Sequence, residues 1–194
     1  MLPQHVVPTE PDPVRAVKNV IDDRSSTSST TSTLCSDCDD DRYFSRENHS
    51  KLQGMANRFT GLLNSGVENG KTLVPLLIQC MNLLMSCKYD YLDISSVLAV
   101  TVIHHNSLIS RLAKTTLSEK ERSFIILAQI FIAHSIVLDE CVVLSNWHKY
   151  LFSSYCDRNC LKRAIARILK RMEYTLSVDP DQVSDLAHVI LNFS

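Results

Sequence analysis

Four cysteines and three histidines are the residues of this chain whose types and spacing could do chemistry. Cys35-Ser-Asp-Cys38 has the two-residue gap of a zinc-ligand pair, and Cys156 and Cys160 would complete a set of four. The first pair lies in an acidic, Ser/Thr-rich stretch and the second has a wider gap, so free thiols without a metal are the reading. His104 and His105 are neighbours in helical sequence. Adjacent helical residues point about 100° apart, so these two do not converge on one metal and read as surface or capping residues. His134 lies in an apolar run and reads as a hydrogen-bonded core histidine. With 4 glycines, there is no phosphate-cradling loop after a strand, and no nucleophile elbow. The sequence therefore points to no catalytic residue, no cofactor and no small-molecule substrate, which leaves a surface that binds a partner.

The elements that would position such a surface are all helices. The longest apolar run is Phe124-Ile-Ile-Leu-Ala-Gln-Ile-Phe-Ile-Ala-His-Ser-Ile-Val-Leu138, followed by Asp139-Glu140. Ser118 and Glu121 ahead of it form a capping-box pair, so one helix is expected over 118–138, buried on all sides. The run is too short to span a bilayer, which takes roughly 20 apolar residues, and no membrane partner is expected. Apolar residues at helical spacing predict further helices over 51–64, 72–87 and 94–114, the last capped by Asp93. A short helix is expected over 145–152, with Trp147 packed at a helix junction. In the helix over 157–176, Leu161, Ile165, Ile168 and Met172 form one stripe, and Arg158, Lys162, Arg163, Arg167, Lys170 and Arg171 lie opposite. A terminal helix over 183–193 packs back on the domain. No strand pairs are expected, so the fold class is all-α: five helices over 72–178, with flanking short helices.

Composition divides the chain. Of its 194 residues 45% are hydrophobic, but residues 1–50 hold few of the large ones. Pro3, Pro8, Pro11 and Pro13 break any early helix, Ser25–Thr33 is almost wholly Ser and Thr, and Asp37, Asp39, Asp40 and Asp41 follow. Such a stretch buries too little apolar surface to offset its ordering entropy. The expected organisation is a disordered, acidic arm over 1–50, a helical domain over 51–178 and a C-terminal helical extension over 179–194. The net charge is −1, which does not point to nucleic acid. An odd count of 7 cysteines and a first segment with no signal-peptide pattern indicate a reduced intracellular protein, in the nucleus or the cytoplasm.

The order of these helices resembles a cyclin box, in the form of the fungal phosphate-pathway cyclins. The resemblance covers residues 72–178. Phe131-Ile-Ala-His-Ser-Ile-Val-Leu-Asp-Glu140 has the family's alanine, apolar residues and acidic end. Leu144-Ser-Asn-Trp-His-Lys-Tyr-Leu151 is similar to its Asn-x-x-Trp-x-Lys segment, and the sequence from Leu169 to Val178 is similar to the end of its fifth helix. Two positions depart from the pattern. The family's lysine falls on Ser135 and its partner glutamate near Ile165, so both members of an ion pair are lost together.

The resemblance implies a regulatory subunit that binds a cyclin-dependent protein kinase, with no catalysis of its own. It marks Leu138, Asp139, Glu140, Leu144, Trp147 and Leu169 as interface residues or their supports. The departures at Ser135 and Ile165 favour the alternative of a cyclin-box adaptor that binds a non-kinase protein.

Overall fold

The computed structural model describes residues 46–63, 72–111, 117–138 and 142–192. The arm up to residue 45, the glycines at 66 and 70, and Asp139 and Glu140 lie outside the described residues. Among those described the fold is all-α: α1 (Arg46–Leu62), α2 (Leu73–Ser86), α3 (Tyr91–Arg111), α4 (Glu119–Val137), α5 (Leu144–Trp147), a π-helical turn (His148–Phe152), α6 (Arg158–Arg171) and α7 (Pro180–Leu191).

Two helices lie at the centre. α3 packs against α4 on one side and α7 on another. α1 joins α2, α3 and α7, while α6 and the π turn lie on α4 and α2 respectively. The run over 124–138, expected to be buried on all sides, is enclosed along its middle, with Ile126, Leu127, Ala128, Ile130 and Ala133 fully buried, but opens towards its end, where Ser135 and Ile136 are exposed. α3 is enclosed more completely, because every residue from Val97 to Val102 is buried. By length and composition α3 would cross a bilayer, but here the rest of the fold covers it. Its burial corrects the surface reading of His104 and His105, both of which are buried. Polar side chains inside α3 find partners close by: Thr101 Oγ1 donates to the Val97 carbonyl at 2.8 Å and Ser95 Oγ to that of Leu92 at 2.9 Å. His105 Nδ1 meets Gln129 Oε1 at 2.7 Å, from α3 to α4.

Local sequence sets most of the helix ends. Ser118 and Glu121 form the expected capping box, with the Glu121 N–H donating to Ser118 Oγ at 3.3 Å and the Ser118 N–H to Glu121 Oε2 at 2.9 Å. α3 begins three residues before the expected Ile94. Asp90 is the capping residue in place of Asp93: the Asp93 N–H donates to Asp90 Oδ1 at 2.8 Å, and the Asp90 N–H to Asp93 Oδ2 at 3.2 Å. α7 also starts early, because Asp179 caps it and Pro180 fits its first position, where no amide donor is needed. α1 reaches back to Arg46, inside the stretch over 1–50 that composition assigned to the arm.

Two helices stop on a left-handed residue that is not glycine. After α2 the Lys88 N–H donates to the Met85 carbonyl and the Tyr89 N–H to that of Leu84. This is a Schellman ending, with Lys88 at φ 68°. After α6 the same bonds run from Glu173 to Lys170 and from Tyr174 to Leu169, with φ of 55° and 56°. α6 therefore ends at Arg171, five residues before the expected Leu176.

Burying a carboxylate in α4 without a partner tests this architecture. Ile130 is fully buried, and Ile130→Asp is expected to cost several kcal/mol, of the order of a small domain's whole stability. Urea unfolding followed by circular dichroism measures it. A folded variant of unchanged midpoint would contradict the placement of α4.

Candidate partner-binding surface

The C-terminal end of α4 is held by a chain of aromatic rings. Tyr89 follows the Schellman ending of α2 and meets the His134 ring edge-on, at 5.5 Å between centroids and 76° between planes. His134 packs on Trp147 at 5.6 Å, and Phe131 meets Trp147 edge-on at 5.5 Å. Nearer the start of α4, Phe124 meets Phe152 at 5.4 Å and Tyr155 at 5.9 Å. The segment from Trp147 to Tyr155 therefore runs antiparallel along α4, anchored at both ends.

A plain α-helix over 145–152 is the expectation; the structure has one turn of α-helix followed by a π turn. The wider turn brings both Leu151 and Phe152 into the core and leaves Tyr150 exposed. Backbone groups around it are met by side chains: Gln79 Nε2 of α2 donates to the Tyr150 carbonyl at 2.8 Å, and His148 Nε2 lies 2.8 Å from the Cys156 carbonyl. Single π turns inside helices recur where a side chain has to be re-aimed.

The side chains singled out in the sequence divide into supports and surface. Trp147 is 0% exposed, so it supports the surface from beneath. Leu138 caps α4, its N–H donating to the His134 carbonyl at 3.2 Å. Thus Leu138 and Trp147 are joined through His134. Leu138, Leu144 and Leu169 are half-buried, packed against the core from its edge, and Leu169 sits on α6, which packs on α4. The surface also includes two residues that the sequence did not single out. Ile136 is 41% exposed and Val143 is 56% exposed. They flank the link between α4 and α5. Their only signal in the sequence is that the apolar run continues past the turn that is buried. Ser135 is exposed, with its Oγ donating to the Phe131 carbonyl at 3.0 Å, and Ile165 is buried in α6. Neither position holds a charge.

His134 is a core residue, but the expected hydrogen bond is absent: neither ring nitrogen has a partner among the described residues. It is held by ring contacts instead. Burial lowers its pKa to about 4. Burial also lowers His105, partly offset by Gln129, and His104, partly offset by the Leu176 backbone. These imidazoles are held neutral. Cys35 and Cys38 lie outside the described residues, and among those described no three His, Cys, Asp or Glu side chains gather. Burial, and then the neighbouring Cys160, push the Cys156 thiol up, away from the reactive thiolate.

Two predictions follow from the ring cluster. An unfolded imidazole titrates near 6.5 and that of His134 near 4, so the unfolded state takes up the proton first. The contribution of His134 is complete above about 6.5 and is lost as the pH falls towards 4. His134→Phe should shrink the stability difference between pH 7 and pH 5 by about 1–2 kcal/mol in urea titrations; an unchanged difference would show that the ring is hydrated. The indole Nε1 of Trp147 is also buried without a partner among the described residues. Trp147→Ala should cost about 3–5 kcal/mol, whereas Trp147→Phe keeps the ring contact and removes the orphaned donor. It should therefore cost clearly less, and equal losses would mean that the N–H is satisfied.

The chain matches no protein-family model, no curated protein and no solved structure.

Proposed function

We propose that this chain is a cyclin-like regulatory subunit that binds and regulates a cyclin-dependent protein kinase of the cell-cycle type. The observation that carries the reading is the ring-braced end of α4. Half-buried Leu138 and Leu144 and exposed Ile136 and Val143 lie at the end of α4 and the start of α5, which the His134–Trp147 ring contact braces. Apolar side chains on so firmly braced a support suit a wedge. Pressed against a mobile helix of a kinase, such a wedge favours one arrangement of that helix, because it makes better contacts with it. In this reading α2 to α6 make up the box, α1 and α7 flank it, and the residues ahead of Arg46 take no part. The chain performs no chemistry and works inside the cell.

A second reading, an adaptor for a non-kinase protein, is favoured by one specific feature. Ser135 and Ile165 leave the surface without the family's ion pair. An exposed hydroxyl and a core isoleucine stand there instead.

Retention of a cyclin-dependent kinase on the immobilised full-length chain distinguishes the two. The kinase reading expects retention by the parent chain. It expects about a tenfold loss with Val143→Asp, which places a charge in the apolar surface, and a measurable loss with Asp139→Ala/Glu140→Ala, with unchanged circular dichroism in both. If the folded parent chain retains no such kinase, the adaptor reading replaces it. If Val143→Asp binds as well as the parent, the surface lies elsewhere on the fold.

A further inference from the structure

The outer face of α6 carries charge that the fold does not use. Leu161, Ile165 and Ile168 are buried and fix the rotation of the helix. That rotation leaves Arg158, Arg163, Arg167, Lys170 and Arg171 exposed and Lys162 half-buried. No acidic residue lies between Arg158 and Arg171. The ion pairs formed among the described residues join Lys51 to Glu47 and Arg111 to Glu173, and none involves these six cations. Asp157 at the N-cap is held below the usual carboxylate range chiefly by the Cys160 N–H, with Arg163 a weaker influence.

This arrangement works against the helix. Arg158 and Lys162, Arg163 and Arg167, and Arg167 and Arg171 are four residues apart, where like charges destabilise. Lys170 and Arg171 suit the negative C-terminal end of the helix dipole, but Arg158, Lys162 and Arg163 stand towards its positive end. Neither pairing nor the dipole accounts for the stripe.

A second, independent feature lies at its end. Glu173 and Tyr174 both adopt left-handed backbone, at φ 55° and 56°. Two consecutive non-glycine residues there are strained, and such strain concentrates at functional positions. The turn places the Glu173 carboxylate 3.2 Å from Arg111. It leaves the Tyr174 ring 41% exposed beyond the last cations.

We propose that this face of α6 binds a short, extended, acidic peptide segment of a partner protein. The carboxylates of the segment pair with Arg163, Arg167, Lys170 and Arg171, and Tyr174 receives an apolar side chain at its end. Charge complementarity sets the sign of the ligand, and length sets its kind. From Arg163 to Arg171 the four cations span roughly 12 Å at 1.5 Å per residue, which an extended chain covers in about four residues at roughly 3.3 Å each. Beyond Arg171 the chain turns at Glu173, whose carboxylate is taken up by Arg111. Four of the six cations are arginines, whose planar fork pairs bidentately with carboxylate. The proposal is independent of the kinase reading, since it uses a different face.

Fluorescence anisotropy with the full-length chain tests it. One labelled peptide holds alternating glutamate and aspartate over the length of the stripe; a second adds a terminal phenylalanine. A single-stranded oligonucleotide of equal length and phosphatidylserine vesicles serve as the other anions. The acidic peptides are expected to bind, with an affinity that falls steeply as salt is added. Arg163→Glu/Arg167→Glu should weaken both by about tenfold or more, and Arg163→Gln/Arg167→Gln by less, with thermal melting not lowered, since each change relieves repulsion along the helix. Tyr174→Gly should weaken only the peptide that ends in phenylalanine. Asp139→Ala/Glu140→Ala should leave peptide binding untouched, which separates failure here from failure of the kinase reading. Absence of peptide binding by the folded chain would overturn the proposal. So would charge reversal without effect, or tighter binding of the oligonucleotide or the vesicles than of the peptides.

Discussion

The packing of Tyr91–Arg111 against Glu119–Val137 is the contact on which the other elements depend. α3 is apolar around most of its circumference, and it is covered because α4, α7 and α1 surround it. Apolar packing alone leaves the register of two such helices loosely defined, since one leucine or isoleucine substitutes for another with little loss. The His105–Gln129 contact at 2.7 Å sharpens it. A buried imidazole and a buried carboxamide meet at one offset between the helices. Sliding by a turn would leave both without a partner, at a cost of about 1–3 kcal/mol for each orphaned group. A polar pair in an apolar seam is thus a selector of register more than a source of stability.

With α3 and α4 fixed, the segment from Trp147 to Tyr155 is fitted to α4 by aromatic rings. The short α5 and its π turn are too brief to hold themselves by helix propensity. They are held at one end by Trp147 between Phe131 and His134, and at the other by Phe152 against Phe124. Edge-on ring pairs add about 0.5–1.5 kcal/mol each beyond the area they bury. The arrangement has a cost, because His134 and Trp147 keep buried nitrogens without partners among the described residues. An apolar residue in either place would lack that cost. The orphaned groups thus sit directly beneath the surface that the proposed function uses.

That surface and the outer face of α6 differ in physical character. The first offers apolar side chains on a braced edge, where affinity comes from excluding water and from shape. The second offers an unneutralised row of cations, where electrostatics sets encounter rate and partner choice more than affinity. α6 contributes to both, Leu169 standing beside the core and the cations pointing away from it. A helix clamped on one face by Leu161, Ile165 and Ile168 presents each set in a fixed direction.

The sequence alone determined the class of fold and most of its elements. Apolar spacing located each helix of the described domain, Ser118 and Glu121 marked the start of α4, and the stripe from Leu161 to Met172 assigned the two faces of α6. Those signals are local: a capping box involves four consecutive residues, and a helix face is read from its own period. Of the surface at the end of α4, the sequence named the half-buried Leu138, Leu144 and Leu169 and the support Trp147, but missed Ile136 and Val143, since exposure depends on which neighbours arrive. The tertiary structure decided that His104 and His105 lie inside, because α7 and α4 cover a helix whose histidines read as polar. It also decided where α6 ends, for Glu173 stands where a glycine would have announced the turn. The π turn after Trp147 has no local signal at all. It exists because Trp147 and Phe152 both have to reach rings on α4, and a regular helix between them would turn one of the two away.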